Sequence, residues 1–428
     1  MDYFEYRGGR LFVENVAVKD IVKEVGTPAF LYSERTLLDH YDKVAHAFRE
    51  LKPLVCYSVK SCSNLAVLRT LAQAGSGFDI VSGGELFRVL KAGGAAGRSF
   101  YAGVGKTNSE ILYALEQGIF MFNIESEAEF ENIDHIAQAR GRRPRCALRI
   151  NPDIDPKTHQ HTATGKRETK FGVDLDRAEQ FFRKYHQAPA AQLVGVHLHI
   201  GSPVYDPKVY VEAIGKTLPL IDKLRGDGIV IDTFDLGGGF AASYETGRAR
   251  PIEDYADAIM PLLRGKGFQI VLEPGRFISA NAGLLVAQVQ YLKTGGSKNF
   301  VVLDTGMHHL IRPPLYDAFH FIWPAEPGED LTPPDRVPAP TLPGLLPVDV
   351  VGPICESGDF LAKDRMLPPV ERGDLLAVFG AGAYGMAMAS NYNSQPRPAE
   401  VMVSDTSFRI IRRRETYEDL IRGEDDET

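Results

Sequence analysis

The chain has 428 residues, and its 48 basic and 56 acidic side chains give a formal net charge of −8 at pH 7. The two signs are interspersed without a basic stripe or block, which argues against a nucleic-acid partner. The length exceeds that of an ordinary single domain and fits one barrel of about 250 residues with one companion domain.

The cysteines argue against a zinc site and against a disulfide scaffold. Cys56, Cys62, Cys146 and Cys355 form no CxxC pair and no Cys/His ligand spacing, and so few cysteines in a long chain indicate a reducing compartment. The N-terminal residues MDYFEYRGGR contain acidic side chains and no apolar core, and no apolar stretch of about 18 residues occurs. We therefore expect a soluble cytoplasmic protein without a metal and without membrane contact.

Eight short β-type runs alternate with helix-type runs between residues 55 and 275. In chain order the runs are VCYSVK, FDIVS, SFYAG, FMFNI, CALRIN, VGVHLHI, TFDLGGG and IVLEPG. The segments 83–93, 108–118 and 174–188 between them have apolar residues near helical spacing, several with a capping residue before and Gly after. This alternation predicts an α/β fold, a TIM-type (β/α)8 barrel.

Polar residues and glycines collect at one end of these runs. The C-terminal ends carry Lys60, Ser82, Asn151, His199, Gly237 to Gly239 and Glu273. Active sites of such barrels are built at that face. The positions therefore predict one shared site.

Beyond residue 285 the pattern changes to β-type runs without intervening helices. This change predicts a second domain, an antiparallel β-sandwich or barrel. Residues 323–347 are rich in proline, which cannot pair in a central strand, so we expect an extended surface loop inserted in that domain.

Seven motifs follow the VCYSVK run in order: GFDIVSGGE, HLHIGS, DLGGGF, LEPGR, RPPLY, CESGD and GAYG. As a set, they resemble the fold-type III pyridoxal-phosphate decarboxylases, the group of ornithine, diaminopimelate and arginine decarboxylases. The resemblance extends from about residue 28 to residue 393. The chain departs from the family at Pro203 after HIGS, where Gln is common, and at Ser61 and Cys62 after the lysine, where Ala-Asn is commoner.

The resemblance implies a domain plan. A barrel of alanine-racemase type over residues 36–285 would bind pyridoxal 5'-phosphate, and a β domain of residues 1–35 and 286–428 would complete the active site. The N-terminal run RLFVENVAV would add a strand to the β domain. The family forms homodimers whose active sites are shared between subunits, with Cys355 and Glu356 supplied by the partner chain.

Each requirement of this cofactor has a candidate in the sequence. Lys60 would supply the Schiff-base amine, Gly237 to Gly239 the phosphate cradle, and Glu273 the carboxylate opposite the pyridine nitrogen. The resemblance adds further cofactor contacts: Asp79, His199 stacked on the ring, Ser202, Gly275, Arg276 and Tyr384, with Glu85 and Arg149 as a supporting pair near the lysine. Taken singly, each position also fits an ordinary strand-end charge, loop glycine, satisfied histidine or surface salt bridge.

Substrate recognition is implied at Arg276, Arg312, Tyr316, Glu356 and Tyr384. Two arginines suit a carboxylate and a glutamate suits an ammonium group, so a substrate carrying both at its far end is favoured. This favours the diaminopimelate branch, in which a carboxy-lyase converts meso-2,6-diaminopimelate to L-lysine and CO2, the last step of lysine biosynthesis.

The catalytic residues implied are Lys60, His199 and Cys355, the last as the proton donor. Two alternatives stay open. One is a related decarboxylase acting on ornithine, arginine, carboxynorspermidine or a carrier-bound amino acid. The other is a non-catalytic relative that binds the cofactor and regulates a partner.

Overall fold

The computed structural model describes residues 2–154 and 170–424, which form two compact units. The barrel unit comprises His40–Ala241 and Arg250–Phe277, and the β unit comprises Met1–Asp39, Ala242–Ala249 and Ile278–Thr428. The limits expected from the sequence were residues 36 and 285.

Eight parallel strands close the barrel. They are Leu54–Ser58, Gly77–Ile80, Ser99–Tyr101, Met121–Ile124, Arg145–Asn151, Gln192–His197, Thr233–Asp235 and Gln269–Leu272. Each pairs with the next along the chain, and the last pairs with the first through Val271 and Leu54. A short strand, Val173–Asp174, adds to the fifth. The predicted barrel is confirmed, and its strands are apolar runs because both faces are covered.

Helices alternate with the barrel strands. They are Glu34–Ala47, Leu65–Gln73, Gly83–Lys91, Asn108–Gln117, Glu127–Ala139, Leu175–Tyr185, Lys208–Gly226 and Ile252–Leu263, with 3-10 turns at Arg49–Leu51, Val59–Ser61 and Ala96–Arg98. The three helical segments expected from the sequence are confirmed. Ser82, one of the polar residues expected at the active-site face, accepts the Glu85 N–H and caps its helix.

The β unit is built on a nine-stranded sheet. Its main path is Phe360–Leu367, Leu346–Val351, Lys298–Leu303, Gly283–Gly295, Ala29–Ser33, Ala399–Ser404 and Ser407–Arg412. Off this path, Leu375–Val378 pairs with Gly283–Gly295, and Ile322–Pro324 pairs with Leu375–Val378. Most neighbours are antiparallel, as expected. Lys298–Leu303 with Leu346–Val351 and Ala29–Ser33 with Ala399–Ser404 are parallel, so the sheet is mixed. Long connections join both parallel pairs, which parallel pairing requires.

The N-terminal run RLFVENVAV contributes strands within the β unit but does not join its large sheet. Phe4–Arg7, Arg10–Val13 and Val16–Ala17 form a three-stranded antiparallel sheet of their own, because tight turns join them and they pair locally. The first of those turns contains Gly8 and Gly9, both at positive φ. The N-terminal strand that enters the large sheet is Ala29–Ser33.

The proline-rich segment 323–347 is a connection within the β unit, as expected, but it is not a surface loop throughout, because Trp323 and Pro324 end one strand and Leu346 and Pro347 begin another. Between Ile322–Pro324 and Leu346–Val351 it contains one 3-10 turn, Glu329–Leu331. The fully buried Trp323 anchors this turn by donating its indole N–H to the Leu331 carbonyl at 2.9 Å.

Short helices complete the described chain: Val18–Val25, Arg276–Ser279, Arg312–Tyr316 and Tyr417–Leu420, with 3-10 turns at Met386–Met388 and Tyr392–Ser394. Within residues 2–154 and 170–424, no helix combines the length and the apolar character that crossing a bilayer requires.

Candidate active site

Lys60 lies in the 3-10 turn that directly follows the first barrel strand. Its Nζ is 2.8 Å from Oδ2 of Asp79, and the lysine side chain is 34% exposed whereas the aspartate side chain is fully buried. Ser58 also donates to Asp79 Oδ2, at 2.6 Å. Oδ1 of Asp79 is buried without a hydrogen-bond partner among the described residues. The lysine amine is therefore held by a buried carboxylate while it stays accessible from one side.

Four further polar side chains meet inside the barrel: Asn123, His197, Asp235 and Glu273, which we call the interior cluster. The Asn123 amide donates to Asp235 Oδ2 at 3.0 Å and to Glu273 Oε1 at 3.2 Å. His197 Nε2 lies 3.3 Å from Glu273 Oε2, and Asp235 Oδ1 accepts the Gly237 N–H at 2.9 Å. All four residues are buried, and each lies at or near the carboxyl end of a barrel strand.

Burial dominates the acid–base behaviour of the interior cluster. Burial, together with the charge of Glu273, raises the pKa of Asp235 well above its ordinary value. Burial and the charge of Asp79 raise the pKa of Glu273 to about 8, although Lys60 opposes this shift. Burial also lowers the pKa of His197, so this imidazole is neutral at pH 7.

His199 and the glycine motif form the neighbouring strand ends. The Gly238 N–H points to His199 Nδ1 at 3.3 Å, and burial, followed by the charges of Arg149 and Lys60, lowers the pKa of His199 well below its usual range. A Cβ on Gly237 would lie 2.1 Å from the Leu198 carbonyl oxygen. The three glycines, Gly237, Gly238 and Gly239, are therefore required by close backbone packing.

The sequence interpretation assigned all three glycine amides to a phosphate. In the structure the Gly237 amide donates to Asp235 and the Gly238 amide to His199, so the assignment of these two amides to a phosphate stays a prediction. Of the three amides, only that of Gly239 is not engaged by an acceptor in the described part of the chain.

Ser202 and Arg276 are brought together, since Arg276 Nε donates to Ser202 Oγ at 3.1 Å. Arg276 is only 7% exposed and begins the turn after the last barrel strand. At Gly275 a Cβ would lie 2.9 Å from the Cβ of Ser58, which explains the glycine. The Ser202 hydroxyl and the Arg276 guanidinium therefore lie side by side at the end of the LEPGR segment.

Arg149 does not pair with Glu85, contrary to the sequence interpretation. Arg149 Nη1 donates to Glu125 Oε1 at 2.9 Å, and the side chains of this ion pair are 7% and 3% exposed. Its Nη2 also donates to the His199 carbonyl at 3.2 Å. Glu85 instead accepts the Val81 N–H at the start of its own helix. Arg149 pairs with Glu125 because Glu125 directly follows the strand that lies beside the strand of Arg149.

In the β unit, Arg312 is held by its neighbours. Its Nη1 donates to His320 Nε2 at 2.9 Å, because His320 Nδ1 is committed to the Phe379 carbonyl at 2.9 Å. The guanidinium lies 4.6 Å from the centroid of the Tyr244 ring, and Arg312 is 6% exposed. Tyr316 ends the same short helix and is partly exposed.

Cys355 and Glu356 lie on an exposed loop of the β unit, and Cys355 is the exposed member of four free cysteines. The buried Asp359 ties this loop down. Its Oδ1 accepts the Met307 N–H at 2.6 Å and its Oδ2 accepts the Ile354 N–H at 2.7 Å. The Cys355 N–H is bound by Asn393 at 2.8 Å.

Tyr384 has a positive φ of 57° and packs against a small apolar cluster of Ala242, Ala280 and Ala383. An L-residue adopts this φ rarely, and the neighbouring Gly382 and Gly385 are closed to any side chain by backbone atoms. The backbone of the GAYG turn and the packing against this cluster together position Tyr384.

The barrel residues offer what pyridoxal phosphate requires: an accessible amine, a neutral imidazole, a hydroxyl and a guanidinium of the kind that suits a phosphate, and a buried carboxyl. The partnerless Asp79 Oδ1 fits such a group as well, because it is a buried acceptor that the described protein leaves unsatisfied. Sequence reasoning brought Lys60, Asp79 and Glu273 to this site. It missed Asn123, His197, Asp235 and Glu125, although a lone polar residue ending an apolar strand was a usable signal.

Comparisons with known proteins agree with this arrangement. A family model described as pyridoxal-dependent decarboxylase, pyridoxal binding domain, matches residues 34–280. A diaminopimelate decarboxylase of Aquifex aeolicus is 43% identical over 420 residues, which is 98% of this chain and 96% of that protein. The structure of diaminopimelate decarboxylase from Helicobacter pylori complexed with L-lysine matches with a TM-score of 0.89 at 40% identity, covering 95% of this chain and 98% of that one. The enzyme of the same name from M. jannaschii, in co-complex with L-lysine, gives 0.90 at 33% identity and covers 99% and 98%.

Proposed function

Because this chain belongs to the diaminopimelate decarboxylase family of pyridoxal-dependent decarboxylases, we propose that it decarboxylates meso-2,6-diaminopimelate to L-lysine and CO2. The observation that carries the proposal is the accessible Lys60 amine held 2.8 Å from the buried Asp79 at the carboxyl end of a closed barrel. The lysine named in the two matched structures corresponds to the proposed product.

Pyridoxal phosphate, when bound, supplies an electron sink for the electron pair that stays behind when a carboxylate leaves as CO2. Lys60 would hold it covalently, with Asp79 fixing the Nζ position. His199 is suited to lie against an aromatic ring because its imidazole is neutral. Ser202, Gly239, Gly275, Arg276 and Tyr384 would hold the phosphate.

Glu273 would face the pyridine nitrogen. Burial, followed by the charge of Asp79, raises the pKa of Glu273 to about 8 on the single chain. A protonated ring nitrogen beside this buried group would be an opposite charge and would favour the ionised carboxylate. The carboxylate would in turn keep the ring nitrogen protonated.

Cys355 would donate a proton to the carbon that loses the carboxylate. The C–CO2 bond breaks, its electron pair remains on that carbon, and a proton from the Cys355 thiol forms the new C–H bond. Solvent then returns a proton to the sulfur, so the balance is diaminopimelate plus a proton giving lysine and CO2. The Asp359 contacts that restrain the loop would keep the thiol on one face of the carbon.

The far end of the substrate carries both an ammonium group and a carboxylate. Arg276, Arg312 and Tyr316 would bind the carboxylate, and Glu356 the ammonium. Arg312 suits this role because its donation to His320 fixes the guanidinium plane in a buried position. A substrate without a distal carboxylate, such as ornithine, would offer no group for this guanidinium to bind.

We further propose a cytoplasmic homodimer in which Cys355 and Glu356 act in the active site of the partner chain. Both residues are exposed on the single chain, which is consistent with that use. All four cysteines are free thiols, which fits a reducing compartment.

The direct test is turnover. The purified protein is incubated with pyridoxal phosphate and meso-diaminopimelate, and lysine and CO2 are quantified. We expect equal amounts of both, and a visible cofactor band that is lost in Lys60→Ala. Lys266→Ala is the matched control, because its side chain is 37% exposed and also pairs with an aspartate.

The outcomes separate the alternatives. Turnover of ornithine, arginine or carboxynorspermidine without lysine release from diaminopimelate would move the enzyme to another branch of the group. A bound cofactor without turnover of any of these amino acids would support a regulatory relative, and no bound cofactor would refute the proposal.

A further inference from the structure

Among the described residues, the interior cluster and its surroundings hold more carboxyl groups than cations. The charged groups described around it are Asp79 and Glu125, which are acidic, and Lys60 and Arg149, which are basic. Each of the two cations already contacts a carboxylate, at 2.8 Å for Lys60 and at 2.9 Å for Arg149. Among the described residues, none is left to form an ion pair with Asp235 or Glu273 other than His197, which is neutral.

The two carboxyl groups are nevertheless close together. One ring nitrogen of His197 and one carboxyl oxygen each of Asp235 and Glu273 all lie within 4.8 Å of one another. All three residues are at most 2% exposed. The Asn123 amide bridges the pair by donating to one oxygen of each carboxyl group. The nearby Cys56 is a buried thiol and adds no charge, since burial raises its pKa.

We propose that Asp235 and Glu273 share one proton, which resides on Asp235, and that Asp235 is thereby a positioning residue for Glu273. Two buried carboxylates this close cannot both stay ionised without a cation between them. A metal ion does not suit the cluster, because the Asn123 amide points its N–H groups at both carboxyl groups. A proton on one carboxyl group, unlike a metal ion, does not have to occupy the position that these N–H groups face. Burial raises the pKa of both groups, which is consistent with this arrangement.

The functional consequence of the shared proton rests on the proposed function. A neutral Asp235 that donates to Glu273 fixes the glutamate and limits the pair to one negative charge, which is the charge that a protonated pyridine nitrogen requires. Asn123 and the Gly237 N–H fix Asp235 in turn. Asp235 would not touch the reacting atoms.

The proton can be observed directly by infrared spectroscopy of the holoenzyme at pH 7, because a protonated carboxyl group has a C=O stretch separate from that of a carboxylate. We expect a protonated band that shifts when aspartate carrying a 13C label in its side-chain carboxyl is incorporated. The band should disappear in Asp235→Asn. The matched control is Asp232→Asn, at the other end of the same strand, where the side chain is 44% exposed and pairs with Arg145. The control should keep the band.

Cofactor affinity supplies an independent readout. An asparagine is a permanently neutral mimic of a protonated aspartate, so Asp235→Asn should bind pyridoxal phosphate within about threefold of the wild type. Asp235→Leu leaves two buried donors unpaired and should weaken binding about tenfold or more. Equal losses in both variants, or an infrared band that is unchanged in Asp235→Asn, would overturn the proposal.

Two features keep the test decisive. If Asp235→Asn does not fold, the labelled wild-type protein still answers, because the absence of any protonated aspartate band refutes the shared proton. The infrared measurement needs no turnover. A failure to release lysine would therefore overturn the proposed function without touching the shared proton.

Discussion

Removing Glu125 should destabilise the barrel unit far more than removing Glu127, its neighbour two residues along the chain. Glu125 forms a buried ion pair with Arg149 and also accepts the Gly172 N–H at 2.8 Å. Glu127 forms a comparably close pair with Arg177, but those side chains are 35% and 57% exposed. The two glutamates thus differ chiefly in their burial.

The magnitude follows from that difference. Removing one partner of a buried ion pair leaves an uncompensated charge and costs about 3–5 kcal/mol. Glu125→Ala should fall in this range, because Arg149 would retain the His199 carbonyl and a contact with the Phe171 ring but no carboxylate. An exposed pair contributes about 0–1 kcal/mol, which sets the expectation for Glu127→Ala.

The penalty should depend on pH in a definite direction. Burial alone would raise the pKa of Glu125 and is the largest single influence, but several lowering contributions, first the charge of Arg149 and also the hydrogen bonds from Arg149 and the Gly172 N–H, together outweigh it, so the pKa is lowered. A lowered pKa contributes stability that is fully present above the unfolded-state value of about 4.3 and is lost as the pH falls through the folded-state value. The cost of Glu125→Ala should therefore be constant from pH 7 to pH 5 and shrink only below about pH 4.

The assay is urea unfolding of the full chain followed by far-ultraviolet circular dichroism, with the two units fitted as separate transitions if they separate. A double variant, Glu125→Met with Arg149→Met, should recover much of the loss because neither charge remains buried. Equal costs for Glu125→Ala and Glu127→Ala at pH 7 would refute the reasoning. So would a penalty that grows as the pH falls.

Three further predictions concern single residues of the candidate site and its supports. Asp359→Ala leaves the Met307 and Ile354 N–H groups without their acceptor, so the Cys355 loop should loosen. Iodoacetamide should then alkylate Cys355 several-fold faster, as measured by mass spectrometry. An unchanged rate would contradict the restraint. Arg312→Met should raise KM for meso-diaminopimelate about tenfold or more with a smaller change in kcat, and a loss confined to kcat would disprove its binding role. Gly238→Ala places a Cβ 2.3 Å from a backbone oxygen and should cost about 1–3 kcal/mol in thermal or urea unfolding, whereas Gly215→Ala, with open space around it, should not destabilise.

Local patterns were sufficient to predict the barrel and one face of its site. The eight strands are continuous apolar runs because both their faces are buried, and this composition is visible without the fold. Lys60, His199 and Glu273 could be assigned to the carboxyl end because the direction of parallel strands follows from the chain order. The helix capped by Ser82 was predictable for the same local reason.

Pairings between distant residues could not be predicted in this way. Arg149 has carboxylates from several strands within chain reach, and only the order of strands around the closed barrel brings it to Glu125 and not to Glu85. The same limit applies to the N-terminus. Ala29–Ser33 takes its place in the large sheet because strands far along the chain offer it two partners.

The sequence by itself determined which residue types end the barrel strands, and hence that an amine and a buried carboxyl group would share one face. Only the tertiary structure decided how these groups interact. Asn123 donates hydrogen bonds to Asp235, which lies 112 residues further along the chain, and to Glu273, which lies 150 residues further along. Hydrophobic runs can be recognised within a single segment because burial acts on each segment separately. Hydrogen bonds and charges between strands depend on distances of a few ångströms, and those distances exist only after the barrel has closed.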